Sequence, residues 1–265
     1  MNNENILNSQ QLKQKEQTLE LFWEFKELCD KHNLKYSIAY GTALGAVREN
    51  KMIPWDTDID VFITKETYDF LLKEYPEKFL NNNKRWYMLT FPRFVKSQED
   101  IVIKNQYPVY LDLFILQKSS YKRIKKYNSS FFNKLRCLKS IGWVSYHFRN
   151  VFWTWVAKIF IFLFLFWVPK LTIKSSLKQL AAKKNEWQVV YVANCWPLSN
   201  PNYYMNSVVP IDDFDNLCEI EFENKRVKII RNVENHLITT YGSDWRIPKV
   251  TKHAIYYGYF EMSNK

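Results

Sequence analysis

The stretch Tyr40–Val61, YGTALGAVRENKMIPWDTDIDV, decides the fold class of this chain. The short apolar and aromatic run Tyr36–Tyr40 suits a strand, and Gly41–Thr42 ends it. Thr42 is placed to cap a short helix through Arg48, and Pro54 closes the connection. Asp58–Ile63 then alternates acidic and apolar side chains with period two, as a half-buried strand does. Upstream, residues 10–32 carry Leu12, Leu19, Leu21, Phe22, Phe25 and Leu28 close to helical spacing. Downstream, a helix over Glu66–Glu74 precedes a strand over Pro108–Leu116 with Asp112 at its middle. Helix, strand, turn-helix, strand, helix, strand is an α/β order.

The chemistry in this region lies in its acids. Asp58 and Asp60, two apart on a strand, project from one face. Converging carboxylates repel unless a cation sits between them, and hard oxygen ligands suit Mg²⁺ or Mn²⁺ bridging a phosphate. Asp56 lies on the same side, where it either assists or ends the turn. Asp112, between Leu111 and Leu113, is expensive to bury without a partner, and a shared metal would satisfy it. Gly41–Thr42, just before a helix, offers backbone N–H groups to a phosphate. Arg48 and Lys96 are candidate phosphate-binding cations. An isolated D-x-D is common on solvent-facing strands; strand, Gly–Thr, helix, D-x-D and a later acid, in that order, are far more specific.

With these residues in place, the Tyr40–Val61 run closely resembles the signature of the LicD family, a branch of the polymerase-β-type nucleotidyltransferase superfamily. Tyr110–Leu116, YLDLFIL, is similar to the family's later acidic strand, which makes Asp112 the third carboxylate beside Asp58 and Asp60. Glu234–Pro248, ENHLITTYGSDWRIP, resembles its terminal element. Thr57 stands where the family's triplet has a middle Asp, so that position is not an essential ligand here, and the third element lacks the usual Pro after Phe. The resemblance implies a nucleotidyltransferase-like mixed sheet with flanking helices. It further implies metal-dependent transfer of phosphocholine, or a related phospho-alcohol, from a CDP-linked donor to a sugar of a surface glycan or glycolipid. Asp58, Asp60 and Asp112 would be both metal ligands and catalytic residues, with Asp112 also able to orient or deprotonate the acceptor hydroxyl. The alternatives are another nucleotidyl transfer, such as adenylylation, and an inactive membrane-bound scaffold.

Charge is distributed unevenly. The net charge is +11, yet Leu113–Asn185 contains no Asp or Glu and fifteen Lys or Arg, leaving 23 basic against 27 acidic residues elsewhere. Within it, Val151–Val168 is apolar except for Thr154 and Lys158. His147, Asn150, Thr154 and Lys158 would form one polar stripe on a helix. The run is long enough on paper to span a bilayer, but Lys158 near its middle costs roughly 3 kcal/mol on insertion scales. A single span would also separate the D-x-D strand from the C-terminal element. The expectation is a helix lying in or dipping into a membrane interface, anchored by Trp153, Trp155 and Trp167 against anionic headgroups. A buried helical hairpin with a solvated basic face is the alternative. Nucleic acid is ranked lower, because the apolar run has no use on a duplex.

The expected organisation is a catalytic core over residues 1–117, a basic, apolar helical insert over 118–185, and the rest of the catalytic domain over 186–265. In the last part, Ile220–Ile230 reads as a hairpin turning at Glu223–Asn224, and Asn232 caps a helix that ends at Gly242. Polar N-terminal residues without an apolar signal core, and four dispersed cysteines (Cys29, Cys137, Cys195 and Cys218), point to a reduced cytoplasmic protein, which the basic, apolar insert would hold peripherally at the inner face of the membrane. The acceptor would be a glycan or lipid-linked glycan.

Overall fold

The structure is a computed structural model, which describes residues 7–81, 87, 89–98, 108–141, 151–194, 196–197 and 200–249. Helix α1 spans Ser9–Lys31 and opens with a reciprocal cap: Asn8 Oδ1 accepts from the Gln11 amide at 2.8 Å, and Gln11 Oε1 accepts from the Asn8 amide at 2.9 Å. Leu21, Phe22, Phe25 and Cys29 form its buried stripe. After β1 (Tyr36–Ile38) comes α2 (Tyr40–Glu49), then β2 (Ile59–Thr64) and α3 (Lys65–Glu74). Two-residue strands β3 (Phe79–Leu80) and β4 (Arg93–Phe94) lead to β5 (Leu111–Ser119).

These strands build an open mixed sheet flanked by helices. Its order is β3-β4-β5-β2-β1-β9-β8, with β8 (Cys218–Phe222) and β9 (Lys225–Ile229) paired antiparallel at one end. β2 and β5 are parallel and central, in the register Asp60↔Asp112. Along β2, Val61 and Ile63 join the cluster under α1, whereas Phe62 joins a second cluster on the opposite face. β2 is therefore covered on both faces, not half-buried; its period-two pattern arises because Asp60 is only partly covered.

The 120–188 segment leaves from the C-terminal end of β5 and returns as β6 (Val189–Val192), which pairs antiparallel with that same end. Between them lie α4 (Tyr121–Ser129), α5 (Phe131–Ile141), α6 (Val151–Leu165) and α7 (Ile173–Leu180). β6 then pairs with β7 (Val208–Pro210). The short helices α8 (Pro201–Tyr204) and α9 (Ile211–Asp215) precede β8, and α10 (Val233–Tyr241) follows β9. Strands from either side of the insert thus belong to one sheet. Among the described residues no helix is long and apolar enough to cross a membrane. His147, Arg149, Asn150 and Cys195 lie outside the described residues, as do the side chains of Trp153, Thr154 and Trp155.

Two capping expectations are corrected. Helix α2 begins at Tyr40 with Ala39 in the cap position, so Thr42 lies within the first turn and its hydroxyl serves another partner, described below. Asn232 does precede α10, but its amide is spent on the Asp213 carboxylate and makes no cap bond. The hairpin turn is as read: Glu223 and Asn224 both take positive φ, at 49° and 61°, matching the twist of a tight hairpin. Gly242, at φ 92°, ends α10.

Gly45 permits the closest backbone approach in this region. A Cβ there would sit 2.4 Å from the Lys51 carbonyl oxygen and 3.0 Å from the Ile53 nitrogen, both backbone atoms of the loop leading to the acids. Gly45→Ala is expected to destabilise the fold by about 1–3 kcal/mol, lowering the melting temperature by several degrees in a thermal melt. An unchanged midpoint would show that this loop is not packed on α2.

Candidate active site

Parallel pairing of β2 and β5 fixes Asp60 and Asp112 side by side on one sheet face. Asp58, just before β2 begins rather than within it, turns its carboxylate to the same point. One oxygen from each of the three lies within 4.8 Å of the others, a distance at which unit charges repel by roughly 3 kcal/mol per pair at an effective dielectric near 20. Asp112 is buried; Asp58 and Asp60 are partly exposed.

The surroundings of Asp60 are built from the start of α2. The Gly41 amide donates to Asp60 Oδ2 at 3.3 Å, the Asp60 amide donates to Thr42 Oγ1 at 2.9 Å, and the Ala39 amide donates to the Asp60 carbonyl at 3.0 Å. In this structure, then, Gly41 and Thr42 hold an acid. Gly41 also leaves room: a Cβ there would lie 3.0 Å from Asp56 Oδ2 and 3.7 Å from Asp60 Oδ2. Asp56 is therefore a fourth carboxylate beside the group, with its other oxygen accepting from the Thr57 amide at 3.0 Å.

Beneath the acids, two residues further along the same sheet face, lies an aromatic floor. Phe62 and Phe114 sit 5.1 and 5.0 Å from the Tyr40 ring, and His236 of α10 packs 5.7 Å from both Tyr40 and Phe62, tilted to the former and edge-on to the latter. Tyr40 holds a positive φ of 39°, a conformation that costs a non-glycine residue of order 1–3 kcal/mol and persists here under these ring contacts. The rings cover the acids from below, and the titrations reflect that burial. Burial, then the charges of Asp58, Asp112 and Asp56, push Asp60 well above the usual carboxylate range against the Gly41 amide. Burial raises Asp112 too, with Arg93 opposing. Burial pushes His236 down to about 4, so it is neutral at pH 7. The Tyr241 phenol, though its residue is 38% exposed, is raised by burial and by the charges of Asp60 and Asp56.

Arg93 is the functional residue the sequence reading missed. On β4 it pairs across to Asp112 in register, its Nε donating to Asp112 Oδ1 at 2.6 Å, and its guanidinium stacks 3.7 Å from the Tyr110 ring centre. A cation inside Phe91–Val95, FPRFV, is as conspicuous as the acid inside Tyr110–Leu113. Lys15 was missed as well. From α1, its ammonium donates to the Ile53 carbonyl at 2.6 Å, with the Met52 and Pro54 carbonyls at 3.4 Å, bracing the loop that carries Asp56 and Asp58. Neighbouring Gln14 donates to the Pro108 carbonyl at 2.8 Å, at the entry to β5.

The two predicted phosphate cations are placed differently. Arg48 is seven residues along α2 from Gly41, about 10 Å down the helix axis, and pairs with its neighbour Glu49 at 2.7 Å. Lys96 is exposed just past β4, and the cation that meets Asp112 is Arg93. The structure brings together Asp58, Asp60, Asp112, Gly41 and Thr42; it does not gather Arg48 with them.

Mutually repelling carboxylates above an aromatic floor form an all-oxygen donor set that fits Mg²⁺ or Mn²⁺. The three acids lie within residues 33–124, which match the family described as LicD/FKTN/FKRP, nucleotidyltransferase domain. The chain is 24% identical over 251 residues to the lipopolysaccharide cholinephosphotransferase LicD of Haemophilus influenzae, covering 84% of this chain and 87% of that protein. Shorter matches, 47% identical over 47 residues or 18% of this chain, join it to uncharacterized proteins of Rickettsia prowazekii and Rickettsia typhi, covering 18% and 15% of those chains.

Proposed function

We propose that this chain is a metal-dependent transferase that moves phosphocholine, or a related phospho-alcohol, from a CDP-activated donor to a sugar hydroxyl of a cell-surface glycan or glycolipid, working peripherally at the inner face of a membrane. The observation that carries this reading is the convergence of Asp58, Asp60 and Asp112 within 4.8 Å. Likeness to a lipopolysaccharide cholinephosphotransferase over most of both chains supports the head group and the acceptor class.

Asp58, Asp60 and Asp112 would hold Mg²⁺ or Mn²⁺, which supplies charge neutralisation at the donor phosphates when bound. Gly41 and Thr42 fix the Asp60 carboxylate and its backbone. Arg93 occupies Asp112 Oδ1 and favours the ionised carboxylate, the form that accepts a proton from the acceptor hydroxyl. Tyr241 stays a neutral phenol, able to donate a hydrogen bond to a phosphate or sugar oxygen. The aromatic floor offers an apolar face beneath the acids on which a donor or acceptor ring can rest.

The test is release of nucleotide by purified protein with Mg²⁺ or Mn²⁺, given CDP-choline, CDP-ethanolamine, CDP-ribitol or ATP and a glycan acceptor. CMP release from a CDP-alcohol, dependent on metal and acceptor, is the expected result. Turnover of ATP alone would instead establish adenylyl transfer, and inertness toward all four donors would leave the fold as a scaffold.

A further inference from the structure

The insert carries a surface that the transfer chemistry does not use. On α6 and the turn after it, Ile159, Phe160, Phe162, Leu163, Phe164, Phe166 and Trp167 are each 54–70% exposed. At 100° per residue they cover more than half of the helix circumference; Lys158, Ile161 and Leu165 lie on the remaining side and are partly covered. A water-soluble surface rarely shows so large a contiguous apolar patch unless something binds it. α6 packs against α5, whose first residues Phe131 and Phe132 are also exposed.

The charge of the segment that carries the patch identifies its partner. Lys122, Lys125 and Lys126 on α4, Lys174 and Lys178 on α7, and Lys183 and Lys184 beyond it are exposed, and no acid occurs from Leu113 to Asn185. A second copy of this chain docking through α6 would bring two such cationic segments together, which repel. An anionic bilayer offers an apolar interior for the aromatic residues and negative headgroups for the lysines. Over its fifteen described residues α6 is about 22 Å long, shorter than the roughly 30 Å hydrocarbon core, which favours a shallow seat over a span.

We infer that α6 and the Phe166–Trp167 turn insert shallowly into one leaflet of an anionic membrane, with the lysines of α4 and α7 held at its headgroups. This specifies the peripheral-membrane part of the proposed function and rests on it, but not on the transfer reaction.

Vesicle flotation of the full chain tests it, with phosphatidylcholine vesicles alone or containing phosphatidylglycerol, at about 0.1 M salt. The chain is expected to float with the anionic vesicles and to be released by high salt. Phe162→Ser/Phe166→Ser/Trp167→Ser, all at exposed positions, should lower binding at least about tenfold with an unchanged thermal melt. Lys174→Gln/Lys178→Gln should lower it about fivefold per residue, and only for anionic vesicles. A chain that stays at the bottom of the gradient overturns the inference, as does binding indifferent to the aromatic substitutions. A lipid-free dimer in sedimentation velocity that those substitutions dissolve overturns it in favour of self-association. Nucleotide release from a soluble donor, measured on the same samples, separates the two failures: protein that floats without turnover keeps the insertion and loses the chemistry, and the reverse holds.

Discussion

Asp60→Asn is expected to abolish metal-dependent nucleotide release, by about 10³-fold or more, while making the metal-free protein more stable. The loss follows from removing the acid around which the start of α2 is organised. The gain follows from repulsion: Asp60 shares its 4.8 Å site with Asp58 and Asp112 above an aromatic floor. Discounted for partial solvent screening, its relief contributes about 1–2 kcal/mol, or several degrees in melting temperature. The sign with pH is definite. The folded pKa of Asp60 lies above its unfolded value, so its contribution favours the fold at low pH and is lost as pH rises through the folded pKa. His236 acts oppositely: with a folded pKa of about 4 against an unfolded 6.5, its contribution is present above 6.5 and lost as pH falls toward 4. Melts near pH 7.5 therefore take His236 out of the comparison, because it is neutral there in both states. Adding Mg²⁺ or Mn²⁺ should reverse the order, raising the wild-type midpoint by the equivalent of about 2.7 kcal/mol at a hundredfold excess over Kd and leaving the variant unmoved. Equal nucleotide release by the two proteins would sink the site assignment.

Arg93→Met is expected to be among the most damaging single changes in the chain. Arg93 and Asp112 are both buried and joined by a 2.6 Å hydrogen bond, so removing the cation strands a carboxylate among other carboxylates. Breaking such a pair costs about 3–5 kcal/mol, a large part of the 5–15 kcal/mol that holds a typical domain together. Chemical denaturation should show a lower midpoint, and Arg93→Met/Asp112→Asn should recover most of it, because neither charge then remains. The double variant should stay inactive, having lost one of the three acids. Arg93→Lys should not rescue fully, since an ammonium cannot reproduce the planar stack on Tyr110. If Arg93→Met denatures like wild type, the buried pair carries no stability.

These two residues also mark what the sequence could and could not disclose. Asp58 and Asp60 were legible because the features around them are local: a period-two strand, a Gly–Thr turn and a proline within 22 residues. The Glu223–Asn224 turn and the Gly242 helix end were legible for the same reason. Arg93 belongs to a two-residue strand too short for any periodicity, and its role exists only through the register Arg93↔Asp112. Thr42 was read as a local cap, but its hydroxyl is taken by the Asp60 amide eighteen positions away. Lys15 reaches loop carbonyls 37–39 residues on, and Asn232 turns back to Asp213. Side chains with a plausible neighbour in sequence were claimed by distant partners, and only the tertiary fold decides between them.

The return of β6 beside β5 has a consequence for how such a protein diversifies. The 120–188 segment begins and ends on one rung of the sheet, where Ser119 faces Val189, whereas Asp112 lies at the other end of β5, about 23 Å away along the strand. The insert is therefore an interchangeable cartridge plugged into the edge of the catalytic body, replaceable without shifting the carboxylates. Its socket is not bare: Val189, Tyr191 and Ala193 share an apolar cluster with Ile124, Tyr127 and Leu180. A substitute must bring its own apolar underside to cover them, so exchange of one such module for another is permitted where simple excision is not.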